Sequence, residues 1–187
     1  KYFVYVGGEV RIKGFEQFVE SLKYLDNDIR IFFLGNKVKY NNTPLKRILR
    51  KIFDPYAIKH EKLKEKLKKS EKIINVGLTE NLFSYFNASL FLISPFSKPH
   101  ASLPVLEAFY YGLPVIVSDV VGMDELVDNN NNGLIFKNNS PESLAKNINY
   151  ASKLDSNQYT FFRKNAQLSY AKIKNLEIDI SDIMIKL

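Results

Sequence analysis

Ser94-Pro95-Phe96-Ser97-Lys98-Pro99-His100-Ala101-Ser102-Leu103-Pro104-Val105-Leu106-Glu107-Ala108-Phe109-Tyr110-Tyr111-Gly112-Leu113-Pro114-Val115-Ile116-Val117-Ser118-Asp119 is the stretch on which the fold turns. A β-rich run, Ser89–Ser94, enters it, a helical pattern from Leu103 to Tyr111 fills its middle, and a second β-rich run, Pro114–Ser118, leaves it. Two strands bridged by a helix make a crossover unit, and the strands of such a unit lie parallel in one sheet. The alternation continues outward on both sides. Tyr2–Val6, Ile29–Leu34, Lys72–Val76 and Gly133–Phe136 are the other strand-sized runs. Six strands separated by helices predict an α/β fold with a doubly wound, Rossmann-like parallel sheet.

The helices between them follow from spacing and end signals. Phe15, Phe18, Val19 and Leu22 recur at helical intervals after the first strand. Thr43-Pro44 reads as an N-cap and first helical proline, ahead of an apolar face of Leu45, Ile48, Leu49, Ile52 and Phe53. Thr79 precedes a helix carrying Leu82, Phe83 and Phe86, and Ser140-Pro141-Glu142 opens another. Asp128–Gly133 is a turn tolerant of left-handed backbone, and Ser156–Leu187 reads as one or two helices. No repeat and no Pro- or Ser-rich linker divides the chain, so residues 1–187 are expected to form one domain with 156–187 as its C-terminal helices.

Of 187 residues, 45% are hydrophobic and 13% aromatic, enough to exclude an intrinsically disordered chain. There is no cysteine, which removes disulfides, thiolate zinc sites and cysteine nucleophiles together. The longest apolar runs, such as Ile31–Leu34, fall far short of the roughly 20 residues of a membrane-spanning helix, and no signal peptide is expected. The chain opens on Lys1 and runs straight into a strand, as an excised piece of something longer would.

Charge is concentrated. Residues 37–72 hold thirteen Lys or Arg against four Asp or Glu, a local +9 within a chain of net +7, so the remainder sums to −2. Such a block suits a solvated helix face, an anionic membrane surface or nucleic acid. Within Lys59–Lys72 the only apolar residues are Leu63 and Leu67, one turn apart with Glu61 and Glu65 interspersed, the pattern of a surface helix anchored by a thin stripe. No helix-turn-helix, zinc-finger or aromatic RNA-binding signature accompanies it, so nucleic acid is not the expected partner.

Ligands of an open parallel sheet bind beyond the carboxyl ends of its strands. The first strand-to-helix junction reads Val6-Gly7-Gly8-Glu9-Val10-Arg11-Ile12-Lys13-Gly14-Phe15. Gly7 and Gly8 let backbone come close to a ligand, and Lys13 can reach an anion, although a tight turn needs glycine in any case. Neither the P-loop ending nor G-x-G-x-x-G is present.

At the fourth junction, Leu103-Pro104-Val105-Leu106-Glu107-Ala108, Gly112-Leu113-Pro114-Val115-Ile116 and Ser118-Asp119 together resemble the donor-binding half of family 4 glycosyltransferases, of glycogen synthase and mannosyltransferase type, which have the two-domain GT-B fold. Gly122-Met123-Asp124-Glu125-Leu126-Val127 and Asn132-Gly133-Leu134-Ile135-Phe136 continue the match in order. Val6-Gly7-Gly8 with Lys13-Gly14 resembles the family's first phosphate-binding turn, and Gly77 and Asn87-Ala88-Ser89 also fit. The resemblance covers roughly residues 2–153.

It implies a C-terminal domain that binds a nucleoside-diphosphate sugar, with the N-terminal acceptor-binding domain absent from this chain. The implied reaction is retaining hexosyl transfer, without a bound metal or other cofactor, to a glycan or lipid-linked acceptor in polysaccharide biosynthesis. The implied location is cytoplasmic, with residues 37–72 suited to hold the protein peripherally at the inner face of the membrane. Alone, the domain is expected to bind donor but turn over little, because the facing domain supplies acceptor and excludes water.

Residue by residue, Glu107 would accept hydrogen bonds from the ribose hydroxyls, and its apolar neighbours Leu106, Ala108 and Phe109 suggest a buried helix around it. The amides of Ser102 and Leu103 would meet the donor phosphates at a helix N-terminus, with Lys13 stabilising charge on the leaving group. Gly77 and Leu78 would hold the base through backbone contacts. Two positions depart from the family. Pro99 stands where a first glutamate contacts the donor sugar, so His100 or Ser97 is a candidate replacement, His100 being equally readable as an exposed loop residue. Gly8 stands where the family carries an arginine, and Arg11 is the candidate for its charge. A non-catalytic sugar-nucleotide-binding scaffold and a basic membrane-surface module are the rival readings.

Overall fold

The strands are short and rich in β-branched and aromatic residues, and those inside the sheet are apolar on both faces, whereas one edge strand carries Asn75 and is partly exposed. In the computed structural model, which describes residues 1–35, 54–100, 102–123 and 125–184, these runs form β1 (Tyr2–Val6), β2 (Arg30–Leu34), β3 (Ile73–Gly77), β4 (Leu92–Ser94), β5 (Val115–Ser118) and β6 (Gly133–Phe136). They make one six-stranded sheet in the order β3-β2-β1-β4-β5-β6, every neighbouring pair parallel. The α/β, Rossmann-like sheet is the class expected. From β1 the chain builds outward to β3, then returns to place β4 on the other side of β1, so the winding reverses between β1 and β4.

Helices cover both faces: α1 (Phe15–Ser21), α2 (Pro55–Lys69), α3 (Leu82–Asn87), α4 (Leu103–Tyr110), α5 (Pro141–Ser152) and α6 (Ser156–Met184). The alternation along β1 divides the core. Phe3 and Tyr5 join Phe18, Leu63 and Ile148 on the α1, α2 and α5 side, whereas Val4 joins Phe86, Phe109 and Ala166 on the α3, α4 and α6 side. The last stretch is a single helix over 156–184 rather than two.

The start signal at Ser140 stands and that at Thr79 is corrected, while Asp54 is a cap the sequence reading did not single out. Asp54 and Ser140 each accept a hydrogen bond from the first turn of their helices, at Tyr56 N and Ser143 N. The cap of α3 is Asn81, which accepts from Ser84 N, whereas Thr79 lies two residues too early and instead accepts from Asn81 N. In the Asp128–Gly133 turn Asn130 has φ 63°, the left-handed backbone expected there. The helix expected after Thr43-Pro44, with Leu45, Ile48, Leu49, Ile52 and Phe53, lies outside the described residues, as do Ala101 and Asp124.

Leu63 and Leu67 are the buried stripe of α2, as their spacing predicts. Three of its lysines, Lys59, Lys64 and Lys66, pair with acidic residues of other segments. Lys59 pairs with Glu16, Lys66 with Glu20 at 2.6 Å and Lys64 with Glu9 at 3.6 Å, while Lys72 Nζ donates to the Asp26 carbonyl at 2.9 Å. The exposed pairs of Lys59 and Lys66 contribute little, whereas Lys64 meets a buried Glu9. Lys66→Ala is accordingly expected to shift stability in urea denaturation by less than about 1 kcal/mol, and less still in high salt.

Candidate functional site

The loops that leave β1, β2, β3 and β4 meet on one rim of the sheet, and hydrogen bonds tie them in sequence. Gly7 N and Gly8 N both donate to the Leu34 carbonyl, at 3.1 and 3.0 Å, and Gly35 N donates to the Gly77 carbonyl at 2.8 Å. A Cβ on Gly35 would stand 2.5 Å from Gly8 N, so backbone runs against backbone there.

Past Gly8 the chain makes a 3-10 turn, Arg11–Lys13, and closes it at Gly14 with φ 76°. Gly14 presses on the fourth junction, where a Cβ would lie 1.5 Å from the Pro95 carbonyl oxygen. Ser97 N donates to Ile12 O at 3.0 Å, and Gln17 Nε2 donates to Pro95 O at 2.8 Å. The two junctions that stood out in the sequence are therefore one site, sitting at the reversal between β1 and β4.

On that rim Lys13 is half-buried, and its ammonium has no hydrogen-bond or ion-pair partner among the described residues. Arg11 is exposed, and its guanidinium lies 4.1 Å over the ring of Tyr56 at the start of α2. That stacking turns Arg11 toward α2, where with Lys59 and Lys98 it lines a cleft of about 730 Å³. Ser102, at the N-cap of α4, is buried, but its hydroxyl faces Ser94 Oγ at 3.3 Å and leaves the first turn of the helix uncapped by its own side chain. The dipole of α4 and its first amides, with exposed Leu103, point onto the same rim. Gly77 has φ 80° with nothing within 4 Å of a Cβ position, and Leu78 beside it is 73% exposed.

Glu107 stands one turn into α4. The expectation of a buried helix around it is corrected: Val105, Ala108 and Phe109 take the core face, while Leu106 and Glu107 are half-buried and Leu103 and Tyr110 exposed. At 3.6 residues per turn, neighbouring positions along this helix point to different sides, so Leu106 and Glu107 leave the core face that Val105, Ala108 and Phe109 take. Glu107 lies in a groove of about 360 Å³ between α4 and α6, with Leu103, Tyr110 and Tyr170. Partial desolvation there pushes its carboxyl above the usual range.

The two candidate sugar contacts differ. Ser97 Oγ is turned to the first junction, donating to Ile12 O at 3.3 Å. His100 is exposed, its ring stacked 4.4 Å from that of Phe96 and its amide bonded to Val121 O at 3.1 Å. Among the described residues no group of three His, Asp or Glu side chains could hold a metal ion. Sequence reasoning missed Gln17, which spans Pro95 O and Asn138, and Gly35, although a glycine directly after the second strand was a visible signal.

The family described as "Glycosyl transferases group 1" matches residues 1–169. Among solved structures, Anabaena HepE in complex with UDP-glucose has a TM-score of 0.78 at 16% identity, over 100% of this chain and 49% of that one. A glycosyltransferase from Rickettsia africae has a TM-score of 0.73 at 21% identity, over 95% of this chain and 46% of that one. The C-terminal domain of the group 1 protein LpcC from Francisella tularensis has a TM-score of 0.67 at 20% identity, over 92% of this chain and 85% of that one. The chain thus spans about half the length of the first two. No curated protein matches.

Proposed function

The chain belongs to the glycosyl transferases group 1 family, and from that premise we propose that it is the donor-binding half of a two-domain, family 4 type enzyme that transfers a hexose from a nucleoside-diphosphate sugar. The observation that carries this is the junction of Gly14 with Pro95, which sets Lys13 and the N-terminus of α4 on one rim at the winding reversal.

Positive charge from Lys13 and the helix dipole would stabilise the diphosphate as the glycosidic bond to it breaks, the task a metal serves elsewhere. The amides at Ser102 and Leu103 would contact the phosphates, Glu107 the ribose, and the backbone at Gly77 and Leu78 the base. His100, exposed beside Pro99, is the candidate sugar contact, while Ser97 is occupied with the first junction. The acceptor, a glycan or lipid-linked hydroxyl, would come from the second domain, and closure would exclude water. Retention of anomeric configuration follows the family resemblance, as does a cytoplasmic place at the inner membrane face. The ion pairs of α2 leave less free charge for such a surface than the sequence count implies.

Pro99 favours one second reading, a sugar-nucleotide-binding scaffold without turnover. Calorimetric titration of this chain with UDP, GDP, ADP and TDP tests the donor reading, with UDP first because HepE was solved with UDP-glucose. One diphosphate is expected to bind saturably, and Lys13→Ala to weaken it about tenfold. No binding at millimolar concentration, or binding indifferent to Lys13, would sink the reading. Turnover by the two-domain protein separates enzyme from scaffold.

A further inference from the structure

Tyr5 is fully buried in the middle of β1, its ring stacked on Phe18 with centroids 4.2 Å apart and on Phe33 at 5.2 Å. A phenol so enclosed by phenylalanine needs a partner for its hydroxyl, because an unpaired polar group in apolar surroundings is costly. The hydroxyl finds it in the first junction, donating to the Gly8 carbonyl at 3.1 Å and lying 3.4 Å from the Lys13 carbonyl. One O–H carries one proton, so the two carbonyls share it. Burial pushes the phenol well above its ordinary range, favouring the protonated form that can donate.

The same oxygen fills the space of a missing side chain. A Cβ on Gly7 would stand 2.6 Å from Tyr5 Oη, so Gly7 is glycine because the hydroxyl passes beneath it. Gly8 and Lys13 are the two ends of the segment that presents the only unpartnered ammonium described on this turn, and both are held from below by one atom of the core.

We infer that Tyr5 is a positioning residue for the donor diphosphate, its hydroxyl clamping both ends of the Gly8–Lys13 turn so that Lys13 meets the phosphates in one geometry. The inference rests on the donor reading above. It explains a polar atom placed in the core beneath a glycine pair, which packing alone would fill with phenylalanine.

Tyr5→Phe keeps both ring stacks and removes one oxygen. The probes are UDP, GDP and ADP with their nucleosides, titrated into the wild-type and variant chains by calorimetry and by NMR. The diphosphate that the wild type binds is expected to bind Tyr5→Phe about fivefold more weakly, with the affinity for its nucleoside unchanged. Phe18→Leu, at a ring stacked on that of Tyr5, lowers stability without touching the hydroxyl and is expected to leave the ratio of diphosphate to nucleoside affinity as in the wild type. Equal diphosphate affinity in Tyr5→Phe overturns the clamp alone, as does an equal loss for diphosphate and nucleoside. Failure of the wild type to bind any of the diphosphates overturns the donor reading, and the clamp with it.

Discussion

Gly14→Ala is expected to cost upward of about 3 kcal/mol in urea denaturation, enough to unfold much of the protein or to detach the first junction from the fourth. Two effects combine. At φ 76° any L side chain is strained by about 1 kcal/mol or more, and the added methyl would lie 1.5 Å from the Pro95 carbonyl oxygen, a separation no rotamer change relieves. Relief requires moving backbone, which would break the bond from Ser97 N to Ile12 O and that from Gln17 to Pro95 O. Gly77→Ala separates the two effects, since Gly77 has φ 80° but open space around its Cβ position. It is expected to cost only the backbone strain, about 1 kcal/mol. Equal losses at the two glycines would show that the contact with Pro95 does not hold the junctions together.

The second large effect is on binding. If Glu107 holds the ribose as proposed, Glu107→Ala is expected to weaken the nucleoside diphosphate about 100-fold or more, because two charge-assisted hydrogen bonds would be lost at once. Stability should move the other way. Desolvation raises the Glu107 carboxyl above its unfolded value, so ionisation at neutral pH works against the native state, and that cost disappears as pH falls through the raised value. Glu107→Gln removes the charge and should therefore leave the melting temperature unchanged or higher while binding is lost, the opposition typical of a residue kept for its ligand. Affinity in the wild type should decline on acidification at a pH above that of an ordinary carboxylate, since the protonated acid accepts ribose hydroxyls poorly. A variant that is less stable yet binds normally would assign Glu107 to packing between α4 and α6.

Much of this was legible in the chain. The apolar runs of the inner strands were visible because strands covered on both faces lack polar interruption, while β3 at the edge kept its β-branched run despite Asn75; strand limits differed from expectation by no more than the fraying of ends, except at β4, which begins at Leu92 rather than Ser89. Ser89 is spent in the turn after α3, where its hydroxyl bonds the Tyr85 carbonyl. Thr79 misled because it and Asn81 are both good caps two residues apart, and only the bond from Ser84 N distinguishes them. The surroundings of Glu107 were misjudged for a different reason. A short helix can be apolar nearly all round when another helix, here α6, covers its second flank, and composition does not reveal that flank.

By itself the sequence determined the class of fold, the order of its elements and the two junctions rich in glycine, lysine and helix-capping residues, because periodicity and turn chemistry are local properties of the chain. Tertiary structure alone decided that the junction after Lys13 and the one before Glu107 are a single rim, through contacts between Gly14 and Pro95 that join residues some eighty positions apart. It also decided that Arg11 leans on Tyr56, that Lys59, Lys64 and Lys66 of α2 are matched by glutamates of other segments, and that the Tyr5 hydroxyl stands beneath Gly7. Each of these depends on which strand lies beside which. The reversal between β1 and β4 is set by how the helices cover the two faces of the sheet, and no single segment encodes that.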